Sequence, residues 1–233
     1  NDINIMELSE RFEKITLIDV DKDSMKKAVE WMPQILKDRI TLKAGSLTGI
    51  TDDDQRIFCE RILNKVSCYG SAMSTKDYTE YLLEELGHLN DKMYKDESAL
   101  AENGMLPVGG YDVVVCLGVH SQLMTLLSYT VRVLTHNISE QIFRGNTPDE
   151  ERVEAYLKEM SGRIIPVINS AILKCSGEKA VFGNEHDSKN PVEGAYQCIM
   201  DLRKRGIPIT EEHLTWDFNP GQNVVYDMLI QMM

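Results

Sequence analysis

The sequence predicts an α/β fold with one doubly wound, mostly parallel sheet, and three observations lead to this prediction. Short β-branched runs alternate with amphipathic stretches along most of the chain, as in a parallel sheet covered by helices on both faces. The last part of the chain alternates apolar and polar residues around a turn, which predicts a C-terminal antiparallel hairpin. The stretch 51–110 is too long for one crossover and predicts a helical insertion.

Four apolar runs are the predicted parallel strands, and Tyr111–Leu117 (YDVVVCL) is the strongest of them because it is rich in β-branched residues. The four runs are 15–21, 39–44, 111–117 and 179–183. The helices between and after them are predicted at 23–35, 122–133, 147–175 and 190–206. The hairpin is predicted from 214–218 and 224–232, joined by a turn at 219–222.

The insertion 51–110 contains two predicted helices, 53–66 and 76–93. The second helix has apolar side chains at helical spacing, namely Tyr78, Leu82, Leu86, Leu89 and Met93. Two roles stay open for the insertion: packing against the rest of the protein, or covering a bound substrate as a lid.

Composition narrows the classes of partner. The 233 residues suit one domain, and 37 acidic against 25 basic side chains give a net charge of −12. Such a surface disfavours nucleic acid and anionic membranes, so the expected partner is a small molecule. No apolar run approaches the length of about 20 residues that a membrane span needs. Five cysteines without C-x-x-C spacing predict buried, reduced thiols in a cytoplasmic protein.

Polar residues follow the predicted strands, where open α/β sheets bind ligands. Asp19 ends the first strand, Gly45-Ser46-Leu47 follow the second, and Leu117-Gly118-Val119-His120 end the third. The fourth is followed by Glu185 and His186. A carboxylate at position 19 can accept two hydrogen bonds from a ribose diol, which suits an adenosine-containing cofactor. Nicotinamide dinucleotide folds also place an acid at this point.

The order of these segments resembles the class I S-adenosylmethionine-dependent methyltransferases. LIDVDKDSMKKAV is similar to their second motif, YDVVVCLGVHSQL to their fourth, and the C-terminal hairpin to their reversed seventh strand. The resemblance covers most of the chain outside the insertion and implies S-adenosylmethionine as cofactor. It places Asp19 and Val20 at the ribose, Ser46 and Leu47 near the adenine, and Leu117 and Gly118 beside the methyl donor. Ser46 departs from the acidic residue that is common there.

The family's Gly-rich first motif, and the strand before it, are not found ahead of Ile15. Glycines in that loop let the backbone approach the methionine part of the cofactor, because they lack a side chain. We expect that a leading segment carries this strand and motif. The alternative is that the motif and the activity have both been lost.

The candidate chemistry follows from the side chains after the third and fourth strands. His120 is a candidate general base, because imidazole titrates near neutral pH, or it only caps the following helix. Gln122, Glu185 and His186 are candidates for contacting the acceptor. Adjacent residues rarely all reach one ion, so no metal site is predicted at Glu185–Asp187.

Three functions are therefore weighed. The first is methyl transfer to a small-molecule acceptor. The second is a methyltransferase-like protein without catalysis that serves as a binding or assembly module. The third is an NAD-dependent oxidoreductase, which also suits Asp19 but is disfavoured by the terminal hairpin.

Overall fold

The computed structural model describes residues 4–187, 189, 191–219 and 224–233, with the backbone alone at 217–219 and 224. The α/β class is confirmed, because strands and helices alternate along the chain. The sequence suggests one domain, whereas the structure groups the chain into two compact units, residues 1–47 and 48–233. Each unit is described separately below.

The first unit contains two parallel strands and three short helices: α1 (Ile5–Arg11), β1 (Ile15–Asp19), α2 (Lys22–Glu30), α3 (Gln34–Lys37) and β2 (Ile40–Ala44). The two strands pair from Ile15 opposite Ile40 to Asp19 opposite Ala44. Helix α2 begins after Asp21, whose side chain accepts the backbone N–H groups of Asp23 and Ser24. The predicted helix to residue 35 is wrong, since α2 ends before Pro33 and α3 starts after it.

The second unit holds the longer elements. They are α4 (Asp52–Tyr69), α5 (Thr75–Lys92), α6 (Ser98–Glu102), β3 (Tyr111–Leu117), α7 (Thr125–Gln141), α8 (Glu150–Cys175), β4 (Ser176–Glu185), α9 (Glu193–Lys204), β5 (Thr210–Asn219) and β6 (Val224–Met232). Its four-stranded sheet has the order β3-β4-β6-β5. Strand β4 is parallel to β3, and β6 is antiparallel to both of its neighbours. Strand β6 is therefore the one reversed strand of this sheet, as predicted for the hairpin.

The prediction of a single sheet is wrong for the described residues. Their strands make a two-stranded sheet of β1 and β2 and a separate four-stranded sheet. Strands β1 and β2 are hydrogen-bonded to each other, and β3 is hydrogen-bonded to β4. A mixed α/β arrangement is therefore established, with one parallel pair and one mixed sheet.

Several predicted boundaries shift. Strand β4 is longer than 179–183, since pairing with β6 continues to Glu185 opposite Met228. Helix α7 starts at Thr125 rather than residue 122, and α8 is capped by Asp149 rather than by residue 147. The predicted start of α9 at Asn190 and the turn at 220–222 lie outside the described residues.

The insertion is helical, as predicted, and it packs within the second unit. The α5 stripe is buried, with Tyr78, Leu82 and Leu86 fully shielded from solvent. The Tyr78 hydroxyl lies 3.2 Å from Thr135 Oγ1 of α7, and the Asp149 N–H donates to Thr79 Oγ1 over 3.1 Å. The packing role is therefore seen directly, whereas the role as a lid stays a prediction.

The described residues contain no helix with both the length and the apolar character that a membrane crossing requires. None of the five cysteines, all of which are among the described residues, forms a disulfide, as predicted for reduced thiols. Cys116, Cys175 and Cys198 are buried, but Cys68 is exposed and Cys59 is half-buried, so the expectation of burial holds for three of the five.

Candidate functional site

In the first unit, the ends of β1 and β2 bring Asp19 and the loop 45–47 together. Asp19 pairs with Ala44, and the Gly45 N–H donates to the Asp19 carbonyl oxygen over 3.0 Å. The Asp19 side chain is exposed, and its Oδ1 accepts the Asp21 N–H over 2.9 Å. Within the described residues this is its only hydrogen bond, so Oδ2 is open to a ligand.

The neighbours of Asp19 divide between structural and ligand-accessible positions. Asp21 is structural: the hydroxyl and the N–H of Ser24 hold its carboxylate, and they lower its pKa. Val20 is 69% exposed, which leaves an apolar surface beside Asp19. Ser46 and Leu47 are half-buried in the same unit. An exposed acid next to an apolar side chain is a combination that can hold a sugar and a flat ring.

In the second unit, the segment after β3 turns at Gly118. This residue has φ +64°, a left-handed conformation that favours glycine, and its N–H donates to the Gly183 carbonyl oxygen of β4 over 2.8 Å. A Cβ placed on Gly118 would lie 3.6 Å from the Trp216 ring. The long hairpin thus carries Trp216 from β5 back over the sheet to the end of β3. Leu117 precedes this turn and is half-buried.

His120 lies in the interior. Its exposure is 1%, its Nδ1 is 3.9 Å from Cys116 Sγ, and its ring packs 6.0 Å from the Phe182 ring. Burial lowers the pKa of His120 to about 4, although Asn169 and Asp201 oppose this effect in part. No described group meets hydrogen-bond geometry at Nε2. A base must reach the acceptor, so this buried position does not support the predicted catalytic role of His120.

A buried polar network lies beside His120. Asn169 of α8 donates to Asp201 Oδ2 over 2.8 Å, and Cys198 Sγ lies 3.5 Å from Asn169 Oδ1. Asp201 also pairs with Arg205, whose guanidinium reaches the Pro166 carbonyl oxygen over 2.8 Å. Burial raises the pKa of Cys198 to about 12, so this thiol stays protonated. The network joins α8 to α9 and has the character of a structural element.

Glu185 and Ser121 meet at the carboxyl end of β4. The Ser121 hydroxyl donates to the Gly118 carbonyl oxygen over 2.9 Å, and the Ser121 side chain lies beside the Glu185 carboxyl. Burial raises the pKa of the Glu185 carboxyl, and the neighbouring Ser121 side chain partly offsets this. Glu185 is half-buried, whereas the neighbouring Gln122 is exposed. Glu185 is therefore more enclosed than Gln122, and His186 is half-buried as well.

His186 follows Glu185, and its ring centroid lies 5.3 Å from that of His213 on β5. The His186 N–H donates to the Asp227 carbonyl oxygen over 2.8 Å, which anchors the end of β4 on β6. Sequence reasoning missed His213 and Trp216 as members of this site. Alternation along the hairpin was a usable signal, but only the pairing register shows which strand end the two rings reach.

A second charged cluster lies between α4 and α5 of the insertion, around a cavity of about 100 Å³. Glu85 is 5% exposed and pairs with Arg61 over 3.1 Å and with His88 over 3.4 Å. Burial opposes ionisation of Glu85, but hydrogen bonds from Arg61, Tyr81 and His88 outweigh it and lower its pKa. The charges of this cluster thus neutralise each other.

Among the described residues, no group of three or more His, Cys, Asp or Glu side chains has the geometry to hold a metal ion. Comparison of the chain with protein-family models, with curated proteins and with solved structures found no match.

Proposed function

We propose that the protein transfers a methyl group from S-adenosylmethionine to a small-molecule acceptor. The observation that carries this proposal is the exposed Asp19 carboxylate at the end of β1, beside the Gly45 N–H at the end of the parallel strand β2. Ligands of open α/β folds bind beyond such strand ends, and a carboxylate there can accept both hydroxyls of a ribose. The resemblance of LIDVDKDSMKKAV to the methyltransferase second motif supports the same ligand.

The residues present fit the cofactor. Asp19 Oδ2 is not engaged by any described residue, so the carboxylate can accept a ribose hydroxyl without breaking the helix cap at Asp21. Val20 offers an exposed apolar side chain, and Ser46 stands where the family commonly has an acid. The single reversed strand β6 in the second unit supports this family over a dinucleotide-binding dehydrogenase.

When bound, the cofactor would supply a sulfonium methyl group, whose carbon is attacked by an oxygen or nitrogen lone pair of the acceptor while S-adenosylhomocysteine leaves as the thioether. The protein's own part is to align the two molecules, to exclude water and to take the acceptor's proton. In the second unit, Gln122, Glu185 and His186 are proposed to contact the acceptor. Glu185 is better placed than His120 to take a proton, because His120 is buried.

Calorimetry of the full-length protein with S-adenosylhomocysteine tests the cofactor. We expect measurable binding, and we expect Asp19→Ala to weaken it about tenfold or more, because hydrogen bonds to a charged carboxylate are lost. Asp38→Ala is the matched control, since Asp38 is an exposed acid of the same unit that only bonds the Gln34 side chain and caps α3. This control should bind normally.

Two results would count against the proposal. The first is neither heat nor thermal stabilisation at about 1 mM S-adenosylhomocysteine. The second is binding of NAD instead, with the same dependence on Asp19, which would indicate an NAD-dependent oxidoreductase.

A further inference from the structure

Glu185 differs from the other shielded carboxylates of this protein. Six acidic side chains of the described residues are buried or half-buried, and five of these are in ion pairs. The five are Asp54, Glu85, Glu97, Glu193 and Asp201. Glu185 has no ion-pair partner within the described residues, and the Ser121 side chain lies beside it. A carboxylate withdrawn from water is costly without a cation, so this position lacks the partner that the others have.

An aromatic side chain shares the sheet face of Glu185. Glu185 lies opposite Met228, and Met228 lies opposite Leu214, so these side chains point to the same face. Trp216 lies two residues beyond Leu214 on β5 and therefore points to that face as well.

The two side chains also meet the same loop. The Trp216 ring lies against Gly118, and Glu185 lies beside Ser121, three residues further along the chain. Leu214 is 53% exposed on this face, so it gives the site an apolar floor. An unpaired carboxylate, an indole ring and an apolar floor are the components of a site for an organic cation, because the ring face attracts positive charge.

We propose that this strand-end site of the second unit binds a primary amine in its ammonium form, joined to an aromatic or apolar body. Glu185 pairs with the ammonium group, and the Trp216 ring and Leu214 contact the body. The identification of this amine as the methyl acceptor rests on the proposed function, whereas the amine site itself does not.

Tryptophan fluorescence tests the proposal in the full chain. Trp31 and Trp216 are its two tryptophans, so Trp31→Phe leaves Trp216 as the reporter. The probes are 2-phenylethylamine and 2-phenylethanol, which share an aromatic body and differ in the charged group. At neutral pH we expect the amine to change Trp216 fluorescence at about tenfold lower concentration than the alcohol. Glu185→Gln should abolish this preference, because the amide has similar size and no charge.

Glu212→Gln is the matched control. Glu212 is an exposed acid on β5 opposite Ile230, so the variant removes the same charge without removing a shielded carboxylate. The preference for the amine should persist in it. If Glu185→Gln fails to fold, the preference of the parent protein decides by itself.

Equal responses to the two probes, or none up to about 10 mM of either, would overturn the amine site. A preference that survives in Glu185→Gln would overturn it as well. The cofactor titration is independent of this test. A preference for the amine without binding of S-adenosylhomocysteine would rule out methyl transfer and leave the amine site standing. Binding of S-adenosylhomocysteine without a preference for the amine would rule out only the amine site.

Discussion

Gly194→Ala is expected to destabilise the second unit by about 3 kcal/mol, near the upper end of the usual cost of overpacking. Gly194 lies in the first turn of α9, where the helix presses on the segment after β3. A Cβ there would stand 2.1 Å from the His120 carbonyl oxygen and 3.0 Å from its carbonyl carbon. Both atoms belong to the backbone, so relief requires movement of the strand-end loop itself.

Gly162→Ala is the matched control, because Gly162 lies inside α8 and the nearest atom to its Cβ would be Gln197 Nε2 at 3.8 Å. Alanine has the higher helix propensity, so we expect this variant to be more stable by about 0.5–1 kcal/mol. Urea unfolding followed by Trp216 fluorescence in the Trp31→Phe background measures both. Equal stability of Gly194→Ala and the parent would contradict the close contact between α9 and the loop.

Lowering the pH from 7 to 5 is expected to reduce the free energy of unfolding by about 2 kcal/mol through His120 alone. Its pKa is about 4 in the folded protein, against 6.5 for an ordinary histidine. Because the folded value is the lower one, the unfolded chain takes up the proton first as the pH falls. The contribution of neutral His120 is therefore complete above about pH 6.5, and it is lost as the pH falls from there towards 4.

The measurement is the free energy of unfolding as a function of pH. His120→Asn removes the titrating ring, so the variant should lose about 2 kcal/mol less than the parent protein between pH 7 and pH 5. His136→Asn changes an exposed histidine of α7 and should leave the parent slope unchanged. Parallel pH profiles of His120→Asn and the parent protein would show that His120 is accessible to protons in the folded state.

The local elements were predictable where one short segment decides its own structure. Strand β3 occupies Tyr111–Leu117 as predicted, because a β-branched run with no charge after Asp112 favours a strand. The α5 stripe at Tyr78, Leu82 and Leu86 is buried for the same kind of reason, since its spacing presents one apolar face.

Boundaries and burial set by distant partners were not predictable. Strand β4 reaches Glu185 only because Met228 of β6 continues the pairing. Helix α7 starts late because the segment 119–124 first forms a turn, with the Gln122 N–H bonded to the Val119 carbonyl oxygen. His120 has the sequence context of an exposed strand end, but Gly194 lets α9 pack against its backbone and enclose it.

The candidate site residues also divide into those that a local pattern predicts and those that depend on distant partners. Asp19 and Glu185 were found in the sequence because polar residues directly after apolar strands lie at the ligand-binding edge of a sheet. The position of Trp216 depends on the register of β5 with β6, which sets the ring against Gly118. The missing ion-pair partner of Glu185 is likewise a property of packing, which no local pattern encodes.

The crystal structure of the full-length protein with S-adenosylhomocysteine tests cofactor binding most directly. We expect both ribose hydroxyls to lie within hydrogen-bond distance of the Asp19 carboxylate, with the Asp21 cap on α2 intact. An adenosine bound elsewhere, with the Asp19 side chain in contact only with solvent and the Asp21 N–H, would contradict the proposed methyl transfer.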